Sequence, residues 1–191
     1  MIDFLEHIDI QLFLFLNQFQ SEFWDSVMLF FSEKLVWIPL YATVLFFIFR
    51  KFGWKHALVL LAFFAVLILA SDQISFQLKQ HTHRLRPCHD PRLEEIAHFV
   101  KKASGKFGFV SGHAANAYAF AFFSLLLFRN RTFSVGILLW ATSVAYSRIY
   151  LGVHFPGDVL GGTLLGIALA LFFNKLYQNT LRYFPKIPKK L

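Results

Sequence analysis

From residue 33 onward the chain reads as long apolar runs separated by short clusters of charge. A helix needs roughly 17 to 25 mostly apolar residues to cross the hydrocarbon core of a bilayer. Five stretches meet or approach that length, near 33–50, 56–78, 112–129, 132–148 and 156–177. Residues 4–31 differ: acidic or polar positions alternate with Leu, Phe, Ile and Trp at helical spacing, too polar to span but suited to the membrane interface. The pattern predicts an all-α, polytopic membrane helix bundle of about five transmembrane helices, preceded by N-terminal interfacial amphipathic helices. Residues 79–110 form the one long connection, rich in Lys, Arg and His and broken by Pro87 and Pro91. Ordered loops of that length usually carry function.

Composition agrees with a bilayer environment. Hydrophobic residues make up 57% of 191 positions, and a mean hydropathy of +0.52 is too apolar for a soluble fold of that size. The length suits one membrane-embedded domain over 1–191, with 1–32 as its interfacial segment and 79–110 as its active-site loop. A net charge of +8 raises the possibility of nucleic acid, but no basic stripe with interleaved aromatics accompanies it, so no nucleic-acid partner is expected. Instead the charges flank apolar runs, as topology signals do. One cysteine, Cys88, excludes an intramolecular disulfide framework.

Charge also orients the chain. Arg50, Lys51, Lys55, Arg129, Arg131, Lys175, Arg182, Lys186, Lys189 and Lys190, 10 of the 19 basic residues, fall on one side of a five-span arrangement. The positive-inside rule makes that side cytoplasmic and turns the long loop and the 148–156 turn outward. Asp3, Glu6 and Asp9 occupy the region where a cleavable signal would be positive, so the spans themselves are expected to direct insertion.

Three polar segments meet at the outward ends of the spans: Lys79 to Arg86-Pro87; Val110-Ser111-Gly112-His113; and Ser147-Arg148 followed by His154 and Asp158. A phosphate monoester carries nearly two negative charges and calls for several fixed cations and donors. Lys79, Arg86 and Arg148 supply the cations, the guanidinium groups being able to bind phosphate oxygens in pairs. Ser111 adds a hydroxyl. The Gly112 amide can approach an anion closely, and a helix opening there would add its N-terminal dipole. His154 lies four residues before Asp158, within reach of a side-chain contact that fixes the ring tautomer and leaves the other nitrogen free.

These segments resemble the signature of the type 2 phosphatidic acid phosphatase superfamily: Lys, six residues, Arg-Pro; Pro-Ser-Gly-His; then Ser-Arg, five residues, His, three residues, Asp. Order and spacing match over roughly residues 56 to 177. Val110 stands where the family usually has proline, and the additional first helix of its six-span members has no evident counterpart. The resemblance implies a metal-independent, cofactor-free phosphatase acting on a phosphomonoester or diphosphate of a lipid. His154 would be the nucleophile forming a phosphohistidine, Asp158 its orienting partner, and His113 the acid that protonates the leaving oxygen and then activates water. Lys79, Arg86, Ser111, Gly112 and Arg148 would bind the phosphate.

Phosphatidic acid, phosphatidylglycerol phosphate, undecaprenyl diphosphate and lipid A phosphates are the candidate substrates, met at the outer face of a bacterial inner membrane. Transfer of the phosphoryl group to an alcohol or sugar is the alternative enzyme reading. A non-catalytic lipid-binding or transport role is the alternative outside catalysis.

Four secondary expectations follow. His81, His83, Cys88, His89 and Asp90 crowd the loop without a specific metal-ligand spacing. Asp72, two turns below Lys79, is expected to face the bundle, either bracing the cationic site through Lys79 or hydrogen-bonding to another helix. Gly162 and Gly166 mark close helix packing. Trp24, Trp37, Trp54 and Trp140 read as interfacial anchors.

Overall fold

The computed structural model describes residues 2–181; Arg182, Lys186, Lys189 and Lys190, which enter the charge argument above, lie outside them. Among the described residues seven α-helices follow one another: α1 (Ile2–Asn17), α2 (Glu22–Ser32), α3 (Ile38–Phe52), α4 (Trp54–Thr82), α5 (Gly112–Phe128), α6 (Arg131–Tyr150) and α7 (Pro156–Thr180). The five later helices correspond to the five expected spans. Among the described residues the only β pairing is an isolated bridge between Leu85 and Phe107.

Two boundaries differ from the sequence reading by more than three residues. The first span begins later, because a 3-10 turn at Leu35–Trp37 precedes α3 and leaves Glu33 and Lys34 outside. α4 runs past the expected end at residue 78 to Thr82, so Lys79 sits on its last turn. That turn stays helical without apolar residues because His83 closes it in the left-handed conformation, φ 50°, donating its N–H to the Lys79 carbonyl.

Among the described residues three stretches are long and apolar enough to cross a membrane on length and composition: Leu35–Phe52, Trp54–Thr82 and Pro156–Thr180. α5 has only 17 residues and is the packing centre, in contact with α4, α6 and α7. Its small residues explain the closeness: Ala114, Ala115, Ala119 and Ala121 are fully buried. The expected glycine contact is made here. A side chain on Gly162 would collide with the Ser111 carbonyl, and one on Gly166 with the Ala115 carbonyl, so α7 lies backbone to backbone on α5.

α1 and α2 do more than lie at an interface. Their outer faces expose Phe4, Leu5, Ile8, Phe15, Phe23 and Phe30, as an amphipathic helix in lipid would. Their inner faces are tied to the bundle. The Asn17 amide donates to the His98 and Tyr150 carbonyls, both at 3.0 Å, and Tyr150 donates to Asp25 at 2.7 Å. At the opposite end, Lys51 donates to the Leu127 and Phe128 carbonyls at 3.1 and 3.0 Å, satisfying acceptors at the C-terminus of α5.

Trp24 and Trp54 are exposed near helix ends, 48% and 64%. Trp37 and Trp140 depart from the anchor reading. Their rings pack edge to face at 5.7 Å, with Tyr41 and Phe120 beside them; Trp140 is buried and Trp37 half-buried.

Candidate active site

The last turn of α4, the first turns of α5 and α7, the end of α6 and the 83–111 loop converge at one end of the bundle. Helix capping sets up much of the geometry. Ser111 is the N-cap of α5, accepting from the Ala114 N–H at 3.5 Å, and its own N–H donates to the Asp158 carbonyl at 2.8 Å. Gly112 is thus the first residue of α5, where its amide has no partner within the helix. A Cβ on Gly112 would sit 3.7 Å from Lys79 Nζ, which places the ammonium directly over this helix start. Lys79 Nζ itself donates to the Ser75 carbonyl at 3.3 Å.

Arg86 is held by its neighbours in the loop. Its backbone N–H donates to the Lys106 carbonyl at 3.0 Å and its Nε to the Phe107 carbonyl at 3.0 Å. One terminal nitrogen, Nη1, lies 3.1 Å from His154 Nε2. The guanidinium has only donors, so Nε2 accepts, and the neutral ring carries its proton on Nδ1. Nδ1 faces Asp158 Oδ2 at 3.3 Å. Asp158 Oδ2 also accepts the Phe155 N–H at 3.1 Å, the reciprocal half of the cap that starts α7.

The expected His154–Asp158 contact therefore exists, and it is fully enclosed, with relative side-chain exposures of 2% and 0%. Burial, then the positive charges of Arg86, Arg148 and Lys79, push His154 well below its ordinary pKa. It is a neutral imidazole at physiological pH, as a nitrogen nucleophile must be. Burial likewise lowers the Arg86 pKa from its normal value, without removing its charge near neutrality.

Arg148 closes the far side. It is 5% exposed, its carbonyl accepts the N–H groups of Val153 and His154 at 3.1 and 3.2 Å, and its Nη1 donates to Ser32 Oγ on α2. Its Nε has no hydrogen-bond partner among the described residues. A buried donor of that kind is costly unless something accepts from it, and a phosphate oxygen would. His113, on the first turn of α5, lies within electrostatic reach of Arg148 and His154. It also faces a cavity of about 700 Å³ lined by Trp37, Tyr41, Ile48, Ala65 and Phe120.

All eight expected residues thus gather at one end of the bundle. Three residues outside the motif join them. Arg84 and Asp9 contact the Asp158 side, and Ser32 holds Arg148. For Asp9 and Ser32 the only available signal was a polar residue on the inner face of an otherwise apolar N-terminal helix.

Asp72 takes the second of its two expected roles. Asn116 Nδ2 donates to its Oδ1 at 2.8 Å, one turn along α5 from His113, whereas Lys79 turns back to Ser75. The loop residues that crowd in sequence are spread apart in space. His89 donates to the Ala103 carbonyl at 3.0 Å, and Asp90 is paired with Arg92 at 2.7 Å, which holds its carboxyl below the usual range. His83 packs on Phe107 at 4.8 Å. Among the described residues no group of three or more His, Cys, Asp or Glu is arranged around a common point for a metal. The cation-rich pocket suits an anion instead.

A bundle of apolar helices with fixed cations, a helix N-terminus and a buried His–Asp pair at one end defines a membrane phosphatase. The PAP2 superfamily model matches residues 57–182, and the chain belongs to that superfamily. It is 42% identical over 170 residues to a lipid A 4'-phosphatase of Bacteroides thetaiotaomicron, covering 87% of this chain and 75% of that protein. It is 33% identical over 181 residues to a lipid A 4'-phosphatase of Porphyromonas gingivalis, covering 92% and 75%. An undecaprenyl-diphosphatase of Sulfolobus acidocaldarius is 30% identical over 161 residues, covering 83% and 73%.

Among solved structures, Aquifex aeolicus LpxE superposes with a TM-score of 0.68 at 25% identity, covering 87% of this chain and 94% of that one. A phosphatidylglycerolphosphate phosphatase of Bacillus subtilis, TM-score 0.72 at 22% identity, covering 94% and 89%, shares the fold. The chain is an integral membrane lipid phosphatase, a hydrolase of phosphoric esters.

Proposed function

We propose that the chain removes a phosphate from a lipid A-type glycolipid, acting as one membrane-embedded domain through a phosphohistidine on His154. The observation that carries the mechanism is the His154 ring, with Nδ1 on Asp158 and Nε2 against Arg86. An incoming phosphate takes the donors of Arg86, Arg148, Lys79 and the Gly112 amide and so lies on the Nε2 side of the ring. Nε2 attacks phosphorus and the bond to the leaving oxygen breaks, while His113 gives that oxygen its proton. The imidazolium formed on His154 is balanced by Asp158. His113 then takes a proton from water, the water oxygen attacks phosphorus, the P–N bond breaks, and inorganic phosphate leaves with His154 neutral again.

The two lipid A 4'-phosphatases among the relatives support the substrate. The apolar cavity beside His113 supports acyl chains lying between α3, α4 and α5 while the phosphate stays at the bundle end. For the side of the membrane we adopt a bacterial inner membrane with the site facing outward, on the strength of Arg50, Lys51, Lys55, Arg129 and Arg131 at the opposite end.

The deciding experiment measures phosphate release in detergent from lipid A, phosphatidic acid, phosphatidylglycerol phosphate and undecaprenyl diphosphate. Lipid A should show the highest kcat/KM, and a larger value on any of the others rejects the substrate assignment. His154→Ala should abolish turnover in folded protein; more than a few per cent of residual activity rejects the nucleophile. In a Cys88→Ala background, a cysteine at Glu95 should be labelled from outside intact cells and one at Lys55 only after permeabilisation. The reverse pattern inverts the topology.

A further inference from the structure

The superfamily motif accounts for one oxygen of Asp158, and the structure fills the other. Arg84, two residues before Arg86, donates from Nη1 to Asp158 Oδ1 at 2.9 Å and from Nη2 to Asp9 Oδ2 at 2.5 Å. Its guanidinium carbon lies 4.6 Å from the centre of the Phe155 ring, and its carbonyl accepts the Gly108 N–H at 2.8 Å. Asp9, on α1, is not a bystander either. Its Oδ1 accepts the Gly157 N–H at 2.7 Å, at the opening turn of α7. Side-chain exposure is 12% at Asp9, 25% at Arg84 and 0% at Asp158, so the innermost carboxylate is sealed from solvent.

Both terminal nitrogens of Arg84 are thus committed to carboxylates, which separates it from Arg86, whose Nη1 faces the nucleophile, and from Arg148, whose Nε has no hydrogen-bond partner among the described residues. A carboxylate with no exposure needs fixed partners on both oxygens to stay charged and keep one orientation. With Oδ1 gripped by Arg84, Oδ2 is left to His154 Nδ1 and the Phe155 N–H.

We propose that Arg84 is a positioning residue for Asp158, and through it for His154, and that Asp9 of the N-terminal helix positions Arg84. The proposal rests on His154 being the nucleophile. When the ring gains positive charge on phosphorylation, the Asp158 carboxylate must be ionised and in line with Nδ1. Arg84 secures both conditions without touching phosphate.

The test is steady-state kinetics on the best lipid substrate of the panel, with inorganic phosphate as a competitive probe of the cradle. Arg84→Gln should lower kcat by about 10- to 100-fold, the range expected for one charged hydrogen bond. KM and the inhibition constant of inorganic phosphate should stay within about twofold, because loss of a positioning contact leaves binding intact. Asp9→Asn should lower kcat several-fold, and the double variant should be no worse than Arg84→Gln alone, since the two act in series. Arg84→Lys, retaining charge without the paired grip, should recover part of the loss.

Wild-type kcat in Arg84→Gln overturns the proposal. A raised KM with weakened phosphate inhibition at unchanged kcat also overturns it, by making Arg84 a member of the cradle. Should Arg84→Gln fail to fold, Arg84→Lys decides, with unchanged kcat rejecting the assignment. Activity surviving in His154→Ala would instead remove the nucleophile reading on which the proposal rests.

Discussion

At the scale of single residues, the site is organised by who donates to whom. Arg86 can only donate, which leaves His154 Nε2 as an acceptor and sends its proton to the Asp158 side. The matched spacings single out Lys79, Arg86, Ser111, Gly112, His113, Arg148, His154 and Asp158 in the sequence, and the fold gathers these eight at one end of the bundle. Arg84 and Asp9 were not legible: their partners lie 74 and 148 residues away, and an arginine in a basic loop carries no local mark of a buried carboxylate.

The depressed pKa of His154 has a consequence for stability. In the unfolded chain the histidine titrates near pH 6.5, so below that value the unfolded state binds a proton that the folded state refuses. Stability is complete above about pH 6.5 and is lost as pH falls towards the folded pKa, at up to about 1.4 kcal/mol per pH unit for this one group. Thermal melts in detergent should show the midpoint falling between pH 6.5 and 5, and His154→Asn should flatten that fall.

At the scale of elements, five apolar helices were visible in the periodicity and length of the runs, whereas their ends depended on caps. The polar residues after Lys79 predict a loop, yet α4 continues until His83 adopts a left-handed conformation. The type of Trp140 suggests an anchor, but it is buried in mid-helix against Trp37 and Tyr41. Close packing at Gly162 and Gly166 is readable from the sequence, since only glycine lets backbones approach so closely, whereas α5 as the partner comes from the fold.

A large side chain there should separate the two helices that carry Ser111 and Asp158. Gly166→Leu should lower the thermal midpoint and abolish activity, overpacking costing typically about 1–3 kcal/mol or more. Gly136→Ala on α6 meets nothing within 4 Å and should leave both unchanged. A Gly166→Leu protein with wild-type melting would refute the packing argument.

At the scale of the whole molecule, the proposed site and the apolar cavity share His113, so the proposed chemistry and chain binding would meet at one residue. Ala65 lines that cavity away from the phosphate cradle. Ala65→Trp should therefore reduce kcat/KM for a long-chain lipid phosphate by about tenfold or more while leaving a small soluble phosphate ester unaffected. Equal loss on both substrates would show that the cavity does not receive the chains.

By itself, the sequence determined a membrane helix bundle, the number and place of its helices, and the residue types of the proposed phosphate site. Those depend on local hydrophobicity and on spacings within short segments. Only the tertiary structure decided how α1 and α2 take part. Asp9, Ser32 and Asn17 reach Arg84, Arg148 and Tyr150 through contacts far apart in the chain. Such partners are set by which helix faces which, and hydrophobic periodicity carries no information about that choice.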